Sequence, residues 1–307
     1  MIDKELNIKK LSTENRNINS MDIDCKNSLE ICEIMNNEDA LVHVAVREAL
    51  VDIAKAIDSA VITFKNGGRL IYVGAGTSGR IGLIDAVECR PTFSCDDEMV
   101  QCVLAGGSSA FISAKEGAED DMAQAVMDLK NINLCNKDMV IGITASGRTP
   151  YVISAVDYAK SIGCVTGSIA TAMNSKIASH VDHKIEVVTG AEVVTGSTRL
   201  KSGTAQKLVC NMISTASMIQ MGKVYKNLMV DVKATNEKLV KRAVNIVMEI
   251  TGEKEEICYE KMMKYKNAKK ASLSILSGVD DEIQLNQMLE RNGGNLRKVL
   301  KEISINA

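Results

Sequence analysis

The chain has 307 residues, 46% of them apolar and 25% charged, enough to bury one large core or two smaller ones and too balanced to stay disordered. Thirty-seven basic side chains against thirty-nine acidic ones leave a formal charge of −2, so no chain-wide field draws nucleic acid or an anionic membrane, and any anion site must be local. None of the nine cysteines falls in a C-x-x-C pair, which argues against a zinc ribbon or a dithiol redox centre, and no apolar run approaches the ~20 residues that span a bilayer. The opening MIDKELNIKKLS lacks the apolar centre of a secretion signal, so the expected location is the cytoplasm, with most thiols reduced and buried.

Residues 1–27 are polar, rich in Asn and Lys, and read as an arm that folds over another surface. From Leu41 to Phe64 the apolar positions follow helical spacing and stop at Gly67-Gly68, a long helix feeding a strand. Leu70-Ile71-Tyr72-Val73 then runs into Gly74 as a buried strand delivering a glycine loop. Further strands are expected at 99–104, 138–143, 164–169 and 184–189, with helices near 109–130, 151–162 and 203–224. Strand and helix in this alternation predict a doubly wound α/β sheet. After Asn227 come helical pieces at 236–251, 254–266, 268–277, 279–291 and 295–304. The expected division is an arm (1–27), a sheet domain with helices at its start (28–235) and a small helical subdomain (236–307).

Two segments echo each other. RLIYVGAGTSGR (69–80) and KDMVIGITASGRTP (137–150) are each an apolar strand followed by a small-residue loop ending Ser-Gly-Arg. Gly74 to Gly79 fits G-x-G-x-x-G after a strand, which on its own suggests a dinucleotide site. A dinucleotide fold usually ends its second strand on an acid for the ribose; here that strand runs into Ala105-Gly106-Gly107. Gly76, Thr77 and Ser78 place hydroxyls beside the free N–H groups of a helix start, equipment for a compact phosphate. Ser146, Arg148 and Thr149 offer the same from the neighbouring strand, with Pro150 set as the first helical residue. The plainer reading makes both loops tight turns with helix caps.

Glu88, Glu116 and Glu119 stand near predicted helix ends, where acids also serve as caps or surface. Glu192 precedes Gly196-Ser197-Thr198 and the bases Arg199, Lys201 and Lys207, a loop suited to closing on a sugar ring. His180 and His183 lack an acid or thiol partner at metal spacing, so no metal is expected.

Taken together, LSTENRN (11–17), GAGTSGRIGLIDAVEC (74–89), EGAEDD (116–121), ASGRTPYV (145–152), GAEVVTGSTRLKSGTAQKLV (190–209) and NLMVDVKATN (227–236) closely resemble the bacterial N-acetylmuramic acid 6-phosphate etherases. The resemblance implies a sugar isomerase (SIS) domain with a flavodoxin-like sheet, a small UBA-like helical tail, a homodimer and no cofactor. It also implies hydrolysis of the lactyl ether of the sugar phosphate in cell-wall recycling, by ring opening, removal of the C2 proton, loss of lactate from C3 and addition of water. On that resemblance Glu88 matches the acid that protonates departing lactate and then activates water, and Glu119 the second active-site glutamate, acting at C2. The candidate substrate- and phosphate-binding residues are Gly76, Thr77, Ser78, Ser146, Arg148, Thr149, Glu192 and Ser197, with the phosphate on Ser78, on Ser146 or on both. The chain departs from the family at Arg90, where a proline commonly stands; its charge is expected to point away from Glu88.

If the helix over 78–88 is unbroken, Glu88 lies ~15 Å from the phosphate loop, which points either to an early helix end or to a site shared between subunits through the arm or the 190–207 loop. Competing readings are a non-catalytic sugar-phosphate sensor, since the glucokinase regulatory protein resembles this family, and an aldose–ketose isomerase with Glu192 as base.

Overall fold

The computed structural model describes residues 12–113, 115–232 and 236–306. Three helices precede the sheet: α1 (Ser28–Asp39), α2 (Val42–Glu48) and α3 (Leu50–Lys65). The first starts on a capping box in which the Asn27 side chain accepts from Leu29 and Glu30 N–H while Glu30 accepts from Asn27 N–H. The helix expected over 41–64 is broken at Ala49, so the one periodic run becomes α2 and α3.

The sheet has five parallel strands, β1 (Leu70–Gly74), β2 (Val100–Leu104), β3 (Met139–Thr144), β4 (Val165–Ala170) and β5 (His183–Glu186), in the order β2-β1-β3-β4-β5. Helix α4 (Gly76–Phe93) follows β1, α5 (Ser109–Ile112) and α6 (Met122–Asn131) follow β2, α7 (Pro150–Ser161) follows β3, and α8 (Lys201–Gln220) follows β5. This is the flavodoxin-like doubly wound arrangement. Strands covered on both faces read as continuous apolar runs, and every residue of β1 and β3 is buried. Ile71, Val73 and Val140 join Leu129 of α6 and Val152 and Val156 of α7 in one core cluster, while α3 packs on β1, β3 and β5. A Cβ on Gly79, in the first turn of α4, would stand 2.4 Å from Leu104 Cδ1 and 2.6 Å from Gly74 O, so only glycine lets this helix start so close to its strand.

Residues described here fall into two compact units: one runs to Val87 and from Glu98 to Ser214, the other takes Glu88–Asp97 and the chain from Thr215 on. The second is helical, built from α9 (Glu237–Thr251), α10 (Glu255–Tyr265), α11 (Ala268–Ser277), α12 (Glu282–Arg291) and α13 (Leu296–Asn306). Val244, Val247, Leu273, Leu285 and Val230 close its own core. At ~1.5–3 kcal/mol for each large side chain withdrawn from water, such a cluster supports an independently packed unit.

Candidate active site

Chain order reverses between β1 and β3, and in an open α/β sheet the crevice at the carboxyl ends of such strands is where ligands sit. Gly74 pairs with Ile143, so the loops that follow the two strands start almost level. Gly76 opens α4, with Thr77 half-buried and Ser78 buried behind it; Pro150 opens α7, preceded by half-buried Ser146 and Thr149 and exposed Arg148. Each helix start presents N–H groups that no residue of its own helix can satisfy, and its dipole favours an anion.

The second loop is rigid. Gly147 has φ +69°, the left-handed region, and a Cβ there would lie 2.3 Å from Ser175 Cβ. Arg148 N–H donates to Ser146 Oγ at 3.3 Å, and the Thr149 and Thr144 hydroxyls share a hydrogen bond of 2.8 Å. Behind it, Ala145 O accepts from Thr171 N–H and Oγ–H, both at 3.0 Å, and Thr171 Oγ1 lies 2.9 Å from Ser202 Oγ at the start of α8. Sequence reading missed Thr171 and Ser202. Their only signal was a hydroxyl residue directly after a strand and directly inside a helix.

Glu192 is fully buried, and its two carboxylate oxygens accept from Lys201 and Ser202 N–H, each at 2.9 Å. It therefore caps α8 from outside the helix and fills the positive end of that dipole. Ser197 is half-buried in the adjoining loop, its N–H donating to Val194 O at 2.9 Å. Lys201 Nζ makes a buried ion pair with Glu38 Oε2 at 2.6 Å, and Glu38 also accepts from Asn17 and Asn19, each at 2.7 Å. Burial pushes the Glu38 carboxyl up, but Lys201 and the two amides outweigh it and hold it below its usual range. Asn17 Nδ2 donates to Ala191 O at 3.2 Å and Ser20 Oγ to Val193 O at 2.8 Å. The described part of the arm is thus tied to the 191–193 loop of its own chain; residues 1–11 lie outside the described residues.

A cavity of about 160 Å³ opens beside the first loop, lined by Gly76, Arg80, Lys115, Glu116 and Glu119 among others. Arg80 is committed to the carbonyls of Ala110 (2.7 Å) and Phe111 (3.1 Å). The helix expected over 109–130 is interrupted here: Gly117 turns at φ +77°, Glu119 rides exposed on a short 3-10 turn, and α6 starts only at Met122, capped by Asp121. Glu119 and Gly76 therefore share one cavity.

Glu88 stands exposed on α4, in the other unit, its carbonyl accepting from Thr92 Oγ at 2.8 Å. The helix is unbroken from Gly76 to Phe93 despite Pro91, so it does not end before Glu88. Arg90 turns its guanidinium to Asp97, donating to the carbonyl at 2.8 Å, with Nε 3.6 Å from the carboxylate. Among the described residues no group of three or more His, Cys, Asp or Glu is placed to hold a metal; His180 pairs with Asp157 (2.7 Å) and His183 with Ser59 (2.8 Å). No described helix is long and apolar enough to cross a membrane.

Two family descriptions match parts of the chain: the glucokinase regulatory protein N-terminal SIS domain over residues 52–160, and the C-terminal lid domain of glucokinase regulatory protein over residues 226–285. The N-acetylmuramic acid 6-phosphate etherase of Clostridioides difficile (strain 630) is 48% identical over 296 residues, 96% of this chain and 97% of its own. That of Bacillus cereus (strain G9842) is 54% identical over 266 residues, 87% of this chain and 90% of its own. A crystal structure from Bacteroides fragilis NCTC 9343, described as a candidate phosphosugar isomerase involved in capsule formation, superposes with a TM-score of 0.50 at 19% identity, covering 66% of this chain and 95% of that one. That likeness bears on the fold alone.

Proposed function

The chain belongs to the N-acetylmuramic acid 6-phosphate etherase family, and on that premise we infer that it cleaves the D-lactyl ether of N-acetylmuramic acid 6-phosphate to N-acetylglucosamine 6-phosphate and D-lactate. The observation that carries this reading is identity of about half over nearly the full length of both chains. Two helix N-termini at the switch point, one of them beside a carboxylate-lined cavity, supply the anion-binding chemistry the substrate needs.

Opening the sugar ring exposes an aldehyde that acidifies the C2 hydrogen. A base removes that proton, the C3–O bond breaks and lactate leaves with a proton from an acid; water then adds at C3 and C2 regains its proton. Positioned carboxylates suffice for each transfer. Glu88 takes the lactate-and-water role and Glu119 the C2 role, with Thr77, Ser78, Ser146 and Arg148 on the phosphate and Gly76 giving it room. Thr149, through Thr144, and Glu192, through the α8 N-terminus, shape the loops, and Ser197 faces the sugar from the 190–207 segment. The unbroken α4 supports a site completed by a second copy in a homodimer. We place the enzyme in the cytoplasm, in cell-wall sugar recycling.

Purified protein without added metal or nucleotide should release D-lactate from this substrate, and Glu88→Ala should abolish release while calorimetry still detects sugar-phosphate binding. The alternative readings, a non-catalytic sensor or an aldose–ketose isomerase, are not favoured, since the relatives that match nearly the whole chain are named etherases. Wild-type protein that binds the sugar phosphate yet frees no lactate would establish the sensor instead. A fully active monomer in sedimentation would rule out the shared site.

A further inference from the structure

The last turns of α4 and the turn after them, Glu88–Asp97, belong to the helical unit, not to the unit that holds the sheet. Helix α4 stops because Ser94 takes φ +47°, the left-handed region that a side chain makes costly, while Ser94 N–H still donates to Arg90 O at 3.0 Å. Helices α9, α10 and α11 of the same unit also end on left-handed residues, α9 and α11 on glycine (Gly252 at φ +76°, Gly278 at φ +71°) and α10 on Lys266 at φ +51°. A serine in that position carries strain that glycine avoids, and here its hydroxyl is employed: Ser94 Oγ donates to the carbonyl of Asp231.

Asp231 is itself clamped. Its buried carboxylate accepts from Lys269 Nζ at 2.6 Å and Asn267 Nδ2 at 3.1 Å, with Lys223 Nζ at 3.8 Å. Lys269, buried at the start of α11, also donates through Nζ to Gly222 O at 2.8 Å and through its N–H to Val230 O at 3.2 Å. One lysine thus grips the chain before Asp231 and the aspartate itself. Arg90 closes the other side of the turn by bonding Asp97 O. A buried ion pair contributes little net stability over an apolar pair, so fixing a geometry is the better account of its presence.

We propose that Ser94, Asp231 and Lys269 form a relay of positioning residues that fixes the rotation and height of the α4 end carrying Glu88. The proposal rests on the reading of Glu88 as the acid at the lactyl oxygen. Misplacing a reacting group by about 1 Å is enough to cost orders of magnitude in rate.

Ser94→Gly separates positioning from folding, because it removes the hydroxyl and relieves the left-handed strain together. The expected result is a melting temperature equal to or above wild type, a KM within about twofold, and kcat lower by about tenfold or more. Asp231→Asn, which keeps the carbonyl but weakens the grip of Lys269, should lower kcat in the same direction and leave KM in place. Wild-type kcat in Ser94→Gly, or a loss that appears equally in KM, overturns the relay. Glu88→Gln is measured alongside: if that variant is inactive while Ser94→Gly is fully active, the relay alone fails, whereas an active Glu88→Gln removes the acid assignment on which it stands.

Discussion

Replacing Gly147 by alanine tests the rigidity of the loop between β3 and α7. The backbone there sits at φ +69°, so any side chain costs about 1 kcal/mol or somewhat more. The new methyl would also stand 2.3 Å from Ser175 Cβ, against an ordinary carbon contact of about 3.5–4 Å. Ser175 cannot retreat cheaply, since it is buried and its N–H and hydroxyl both donate to Glu186, at 2.7 and 2.8 Å, while Ile177 N–H donates to Gly147 O at 3.0 Å. Overpacking of this kind costs roughly 1–3 kcal/mol, for a total of about 2–4 kcal/mol. Thermal unfolding should move down by roughly 4–16 °C at about 2–4 °C per kcal/mol. Because the relief must come from the loop, KM should rise by about tenfold or more, the equivalent of ~1.4 kcal/mol of lost binding. Measured against Ser175→Gly, which already lacks the hydroxyl bond to Glu186, adding Gly147→Ala should cost only the backbone part. A single variant that melts and binds like wild type, or a cost of Gly147→Ala that is no smaller in the Ser175→Gly background, would refute the argument.

Lys201→Met leaves the buried Glu38 carboxylate with two amides in place of its cation; the expected cost is about 3–5 kcal/mol in urea unfolding, with faster proteolysis of the arm around Asn17. Asp85 is pushed up from 3.8 by burial, against the pull of hydrogen bonds from Asn211, Ser214 and Tyr72. A raised acid contributes stability that is complete below its unfolded pKa and lost as pH rises through the folded value. Asp85→Asn should therefore match wild type in acid and gain on it as pH climbs toward neutrality; a gap that narrows with pH contradicts this. Asp138 runs the other way: burial pushes it up, but Arg69 at 2.7 Å and the N–H groups of Cys135 and Arg69 outweigh burial and hold it below 3.8. Its contribution is full above 3.8 and lost as pH falls through the depressed value, so Asp138→Asn should flatten the acid limb of the stability curve.

The sheet was legible because buried parallel strands leave continuous apolar runs: 70–73 and 138–143 predicted strands that stand as β1 and β3. Both small-residue loops were legible for the same reason, each following such a run. Helix breaks were not: Ala49 interrupts a periodic stretch with no glycine or proline to mark it, and the 109–130 stretch kept its apolar spacing across the turn at Gly117. Spacing alone points the Glu192 loop toward a sugar, because its neighbours in sequence are hydroxyl and basic residues. Its partners are the N–H groups at the start of α8, nine and ten residues on, and backbone donors leave no trace in side-chain spacing. Glu38 with Lys201 was invisible in the same way, since 163 residues separate the pair. The tie between Ser94 and Asp231 likewise joins positions 137 residues apart.

Running the reaction in ¹⁸O-water addresses the central claim directly. Elimination of lactate followed by addition of water predicts ¹⁸O in the C3 hydroxyl of N-acetylglucosamine 6-phosphate and none in D-lactate. Label found in the lactate would mean attack on the lactyl carbon and would contradict the account.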